Sequence, residues 1–226
     1  MHITVCYDGG GWTFPYMAGV TKYMQEHDEH TSSYCGISAG SCVGLAAALG
    51  VPMDTLMSEF MKWAPHCRWC PWLTVRCVRD VCDKMIRITH PDVRDGDPVE
   101  LRRNFAVGVS ELGANAWLHQ VLVKSFPSKE HLVEVMGSAC SLPFVNTWGV
   151  GRRFDGGLTA RFFLPPWPTD RMIRLSTCNT RRGATHTCET RIPWWRSIVP
   201  YDDDRLTRLY HQGYADGPRI LGDHAP

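Results

Sequence analysis

The chain has no long apolar run, no excess of either charge and no repeated or low-complexity tract. Each lack removes a class of protein. No window of about 18 uninterrupted apolar residues is present, so no membrane-spanning helix is expected. Lysine and arginine number 24 against 23 aspartates and glutamates, a net charge of +1. That balance is too even for a broad nucleic-acid surface, and no nucleic-acid partner is expected. Without a repeat period, solenoids and propellers are excluded. The opening residues, Met1 to Cys6, run straight into a short apolar strand without the basic flank and apolar core of a signal peptide. A cytoplasmic, reducing setting is therefore expected. A complete phosphate loop is also missing. In Asp8-Gly9-Gly10-Gly11-Trp12-Thr13-Phe14, Phe14 stands where a dinucleotide loop needs its last glycine, and no Lys-Ser/Thr pair follows.

What is there suits one sizeable α/β domain over residues 1–226, with 44% hydrophobic residues to fill a core. Ile3–Tyr7 reads as a first buried strand, and Tyr16–Met24 as a helix. A second strand ends at Tyr34-Cys35. Residues 53–88 read as two helices, Leu56 to Ala64 and Val75 to Met85, on either side of an irregular linker, Trp63 to Trp72. Arg103–Ser110 and His119–Lys124 form a strand pair, and Ser128 opens a helix that stops at Ser141-Leu-Pro143. Arg171–Thr177 is a further strand. Asp202–Asp204 caps a last helix ending at Gly213, after an irregular, arginine-rich stretch from Arg181 to Pro200 that contains Trp194-Trp195.

The ten cysteines need an account in a reducing compartment. Cys6, Cys42, Cys140 and Cys178 sit in apolar runs and read as buried free thiols. His66, Cys67, Cys70, Cys77 and Cys82 cluster in sequence, but the second cysteine pair lies in a helix at a spacing that suits zinc poorly. Free thiols or an opportunistic disulfide are the expectation, with no metal and no cofactor. The linker between the two helices joins three tryptophans to basic residues. It fits equally a lipid–water interface and a helix-turn-helix that packs its aromatics inside.

Three stretches carry chemistry. Gly36-Ile37-Ser38-Ala39-Gly40 has the form G-x-S-x-G, which puts a serine on a sharp turn between strand and helix. Gly36 and Gly40 let neighbouring backbone pass close to that turn. The run Ala39–Leu49 reads as a helix packed tightly on a sheet, and its positive end favours a developing alkoxide at Ser38. Upstream, Gly9, Gly10 and Gly11 follow a strand and precede a helix, so their N–H groups suit an oxyanion hole. Downstream, Asp155-Gly156-Gly157 closes the stretch Gly151 to Gly157 as a tight turn bearing an acid. If strands one and two are parallel neighbours, the glycine loop and the serine turn share the carboxyl edge of the sheet.

In this order the three motifs resemble the patatin-like phospholipase family. Ser125–Pro143 is similar to the segment before the Asp-Gly motif in its adipose triglyceride lipase branch, and Tyr210-His-Gln-Gly-Tyr214 is similar to that branch's end of domain. The resemblance implies a three-layer α/β/α fold with a mainly parallel sheet. It also implies a Ser38–Asp155 dyad without histidine, with Gly9 to Gly11 as oxyanion donors. The chain departs from the family after the glycine loop, where Thr13 and Phe14 replace the usual basic residue and glycine. The implied activity is hydrolysis of a lipid ester through an acyl-enzyme, while a peripheral place on a membrane or lipid-droplet surface is an expectation from the tryptophan-rich linker alone. Burial is expected to make Asp155 a better base. The competing readings are a triad completed by His186 or His211, an acyltransferase using the same dyad, and a non-catalytic lipid-binding scaffold.

Overall fold

The computed structural model describes residues 2–27, 31–115, 117–143, 152–159, 165–177, 183–188 and 197–222. Met1, Cys178, Gly151, Arg181 and Trp194-Trp195 lie outside them. The fold is the expected α/β one, a mainly parallel sheet flanked by helices. Its strands are β1 (Ile3–Tyr7), β2 (Thr31–Ile37), β3 (Asn104–Leu112), β4 (Leu118–Val123), β5 (Arg153–Asp155), β6 (Arg171–Ser176) and β7 (His186–Thr187). They run in the order β4-β3-β2-β1-β6-β7, with β5 also paired to β3. β1, β2, β3, β6 and β7 are mutually parallel along this path, while β4 and β5 are antiparallel to β3.

The helices are α1 (Pro15–His27), α2 (Ala39–Leu49), α3 (Met53–Trp69), α4 (Thr74–Thr89), α5 (Lys129–Ala139) and α6 (Asp203–Leu221). α2 is the hub. It touches β1, β2 and β3 as well as α1, α3, α4 and α5. Its residues from Gly40 to Leu49 are all buried, which is why it carries almost nothing but small and apolar side chains. It ends as the sequence expects, with Gly50 in the left-handed conformation. On one sheet face Ile3, Val5 and Tyr7 join the large core. On the other, the register partners Cys6, Cys35 and Ala106 form a row of small residues under Leu122, Trp167 and Met172.

Three boundaries differ from the sequence expectation. β2 does not stop at Tyr34-Cys35 but pairs on through Gly36 and Ile37, with Gly36 opposite both Tyr7 and Val107. α3 runs through Pro65 to Trp69 where a break was expected at Trp63. The ring of Pro65 points to solvent, while Ala64 and Cys67 on the other side stay buried in the core. α6 continues past Gly213 to Leu221. Gly213 is a contact and not a stop: a Cβ there would lie 1.9 Å from the Tyr16 carbonyl oxygen. Gly19 on α1 answers it, since its Cβ would lie 1.9 Å from the Tyr210 carbonyl oxygen. The two helices therefore meet backbone to backbone.

Candidate active site

Ser38 is the only non-glycine among the described residues with positive φ, at φ 52° and ψ −136°. Such backbone costs on the order of 1–3 kcal/mol and persists where surrounding structure enforces it. The enforcement is local. A Cβ on Gly36 would lie 2.3 Å from Ser41 Cα, and one on Gly40 would lie 2.4 Å from the Asp8 carbonyl oxygen. Both glycines are thus required by close approach, as the sequence suggests. The Ser38 carbonyl accepts from the Ser41 N–H at 2.9 Å and from the Ser41 hydroxyl, which closes the turn. Ser38 itself is 9% exposed, enough to reach a cavity.

The route that brings Asp155 to Ser38 is written in the registers on β3. One edge of β3 is taken by β4 from Val107 to Leu112. On the other edge β2 pairs up to Ile37 opposite Gly108, and β5 begins at the next position, with Asp155 opposite Val109. Because β2 is parallel and β5 antiparallel to β3, their carboxyl ends face each other along one edge. The turn after Asp155 confirms the closeness: a Cβ on Gly156 would lie 2.2 Å from the Gly108 carbonyl oxygen and 3.1 Å from Ile37 Cγ2. Asp155 is 4% exposed. The Gly157 N–H donates to its Oδ1 at 2.8 Å, its own N–H donates to the Ser141 carbonyl at 2.8 Å, and its carbonyl accepts from Ser110 Oγ at 2.7 Å.

Ser38 and Asp155 line one cavity, walled mainly by Trp12, Phe14, Phe60, Val78, Leu142 and Ile198. No histidine is among its described lining residues. His186 lies on β7, at the far end of the sheet, and His211 sits exposed on α6. Two thiols, Cys42 and Cys140, complete part of the wall. Hydrogen bonding to Cys42 and burial push the Cys140 thiol well above its ordinary pKa. At Cys42 the Cys140 thiol pulls downward, but Cys82 and burial outweigh it, so that thiol too stays protonated. Neither is an activated nucleophile.

The glycine loop passes over the serine. A Cβ on Gly9 would lie 3.1 Å from Ser38 Cβ and 3.7 Å from its Oγ. The expectation of three oxyanion donors needs one correction. The Gly9 N–H is taken, since it donates to Asp8 Oδ1 at 2.7 Å. Among the described residues, Gly10 and Gly11 make no such N–H bond, and Gly11, at φ +47°, also lines the cavity. Gly9 contributes its lack of a side chain.

Sequence reasoning missed what braces this loop. Asp8, fully buried, accepts from Ser176 Oγ at 2.9 Å while holding Gly9. Thr13 lies 2.6 Å from the Gly10 carbonyl and 2.8 Å from Thr177 Oγ1. One hydroxyl has one proton, so Thr13 shares it between the Gly10 carbonyl and Thr177 Oγ1. The residue that departs from the family pattern is therefore itself a brace. The only signal for it was a polar residue embedded between Trp12 and Phe14.

The candidate zinc ligands part company. Cys67 meets Cys77 across the α3–α4 corner, and Cys82 turns to Cys42. Among the described residues no group of three or more His, Cys, Asp or Glu side chains is arranged to hold a metal ion.

Solved structures of other proteins share this fold. VipD from Legionella pneumophila superposes with a TM-score of 0.57 at 10% identity, over 99% of this chain and 67% of VipD. A chain of the ExoU–SpcU heterodimer, from the type III secretion system of Pseudomonas aeruginosa, superposes with a TM-score of 0.52 at 14% identity. That match covers 99% of this chain but only 51% of the other. These likenesses speak to fold. No curated protein matches the sequence. The model of the patatin-like phospholipases matches residues 5–166, a span that takes in the three motifs, the serine turn and strands β2 to β5, and the chain belongs to the patatin-like phospholipase family.

Proposed function

We propose that the protein hydrolyses carboxylic esters of lipids with Ser38 as nucleophile and Asp155 as its base. Family membership supports lipid acyl hydrolysis in general. The observation that carries the finer reading is the end-to-end meeting of β2 and β5 along β3, in the wall of one apolar cavity. An apolar wall suits an acyl chain, and the lining, which among the described residues includes no histidine, favours a dyad over a triad.

In this reading Ser38 Oγ attacks the ester carbonyl while its proton passes to the Asp155 carboxylate. The carbonyl oxygen, now negative, is met by the N–H groups of Gly10 and Gly11 and by the amino end of α2. Collapse breaks the bond to the alcohol, which takes the proton from Asp155. Water then attacks the acyl-serine, gives its proton to Asp155, and the acid leaves with Ser38 restored. A carboxylate with a reference pKa of about 3.9 is a weak base, so the oxyanion donors must carry much of the barrier, about 3–4 kcal/mol each.

Ser38→Ala and Asp155→Asn are expected to remove turnover of a soluble short-chain ester and of dispersed phospholipid, with the unfolding midpoint nearly unchanged. A fluorophosphonate should label wild type at Ser38 and leave Ser38→Ala unlabelled. Turnover retained by purified Ser38→Ala protein overturns the assignment.

A further inference from the structure

The tryptophan-rich stretch that fitted two opposite readings divides between them. Trp63 turns inward: it packs against the core, and its indole N–H donates to Asp80 Oδ2 at 2.9 Å. Trp69 and Trp72 turn outward, 85% and 59% exposed. Between them Pro71 is part of the cavity wall, as is Thr74, the first residue of α4. The two exposed indoles thus flank a residue that reaches the same space as Ser38. Ile198 lines the cavity too, and its neighbour Val199 is exposed.

The corner is cross-tied. Cys67 and Cys77 hold α3 to α4, and Arg68 donates to the Tyr201 carbonyl and to Asp203, tying the corner to the segment that carries Ile198. Large apolar side chains held out of the core by a tied frame are costly unless something covers them. The charges along this stretch of chain have one sign, and of them Arg68 is paired with Asp203 and Lys62 with Glu59. Between Glu59 and Asp80 the chain carries Lys62, His66, Arg68, Arg76 and Arg79 and no carboxylate. Arg76 and His66 are exposed, the first four residues after Trp72 in the chain and the second three before Trp69.

We infer that the α3–α4 corner is a docking surface for an anionic glycerophospholipid bilayer, into whose interface Trp69 and Trp72 insert so that the cavity mouth opens toward the lipid. Indole is suited to this depth, where its apolar body meets acyl chain and its N–H meets headgroup and water. Arg76 then faces the negative headgroups, which favours anionic over zwitterionic lipid and makes binding weaken with salt. The inference takes its occupant from the lipid-hydrolase reading, but its test does not need catalysis.

Binding is measured by co-sedimentation with phosphatidylcholine vesicles, with and without phosphatidylserine, using Ser38→Ala protein so that no lipid is consumed. The expected result is binding to phosphatidylserine-containing vesicles that falls by at least about tenfold in a Trp69→Ala/Trp72→Ala variant. Arg76→Gln should lower binding to the anionic vesicles several-fold and leave weak binding to pure phosphatidylcholine as it was. Ile88→Ala is the control. Ile88 is 54% exposed and lies near the other end of α4, and its loss should change nothing. Unfolding midpoints show that each variant is folded. A folded double-tryptophan variant that binds as well as its parent overturns the proposal, as does a parent that binds neither vesicle or binds both equally. Activity on a soluble ester, measured in the wild type, stands or falls apart from these outcomes.

Discussion

Replacing Thr13 with valine tests whether the glycine loop is braced in the way the geometry says. The shape of the side chain is kept, and one hydroxyl becomes a methyl group. The Gly10 carbonyl keeps its bond from the Thr13 N–H at 3.0 Å but loses the side-chain bond at 2.6 Å. The Thr177 hydroxyl oxygen, in a residue 1% exposed, loses the donor that lies 2.8 Å from it. A buried polar group that loses its partner costs about 1–3 kcal/mol. For a chain of this size each kcal/mol moves the unfolding midpoint about 2–4 °C, so a fall of about 2–12 °C is expected by calorimetry. Activity should suffer beyond stability. Gly10 is a proposed oxyanion donor, and loss of one such donor costs about 10²–10³ in kcat. A loosened donor should cost less, about tenfold, and mainly in kcat on a soluble ester. Thr13→Ser, which keeps the hydroxyl, should restore most of both. A Thr13→Val protein with unchanged midpoint and unchanged kcat would refute the brace.

Three further outcomes are expected. Gly9→Ala puts a methyl 3.1 Å from Ser38 Cβ, close enough to shift the nucleophile by a few tenths of an ångström, so kcat should fall about tenfold while the unfolding midpoint moves little. Gly213→Ala drives a methyl into the Tyr16 carbonyl and should lower stability by about 2–3 kcal/mol despite the better helix propensity of alanine, read as a lower denaturant midpoint. Acid should destabilise the α3–α4 pair. The hydrogen bond from Lys62, reinforced by Lys84, holds the Glu59 carboxylate below its usual pKa, so its contribution is complete above about pH 4.3 and is lost as pH falls through the lowered value. Glu59→Gln should flatten that part of the stability–pH curve, and an unchanged curve would show that the ion pairs do not matter there.

Much of this was legible in the sequence because it depends on neighbours in the chain. The serine turn, the buried α2 with its terminal Gly50 and the Asp-Gly-Gly turn all follow from local pattern. What was not legible depends on distant partners. Gly213 reads as a helix stop unless Tyr16 is known to lie against it. Pro65 reads as a break unless its ring is known to face water. Thr13 reads as a departure from the family until Thr177 is found beside it. The meeting of Ser38 and Asp155 depends on where β2 ends on β3, and that is a matter of pairing. The tryptophans of the α3–α4 corner carry no sign in the sequence of which faces in.

β6 and α6 lie beyond residue 166, where the family match ends, yet they hold the front of the site. Leu175 receives the Asp8 N–H at 2.9 Å, Ser176 grips the Asp8 carboxylate, and Thr177 reaches Thr13. α6 clamps α1, the helix that follows directly on the glycines. A recombinant fragment trimmed to 5–166 would keep every motif residue and still come out with a slack rim over the serine, so expression boundaries for any catalytic work belong past Leu221.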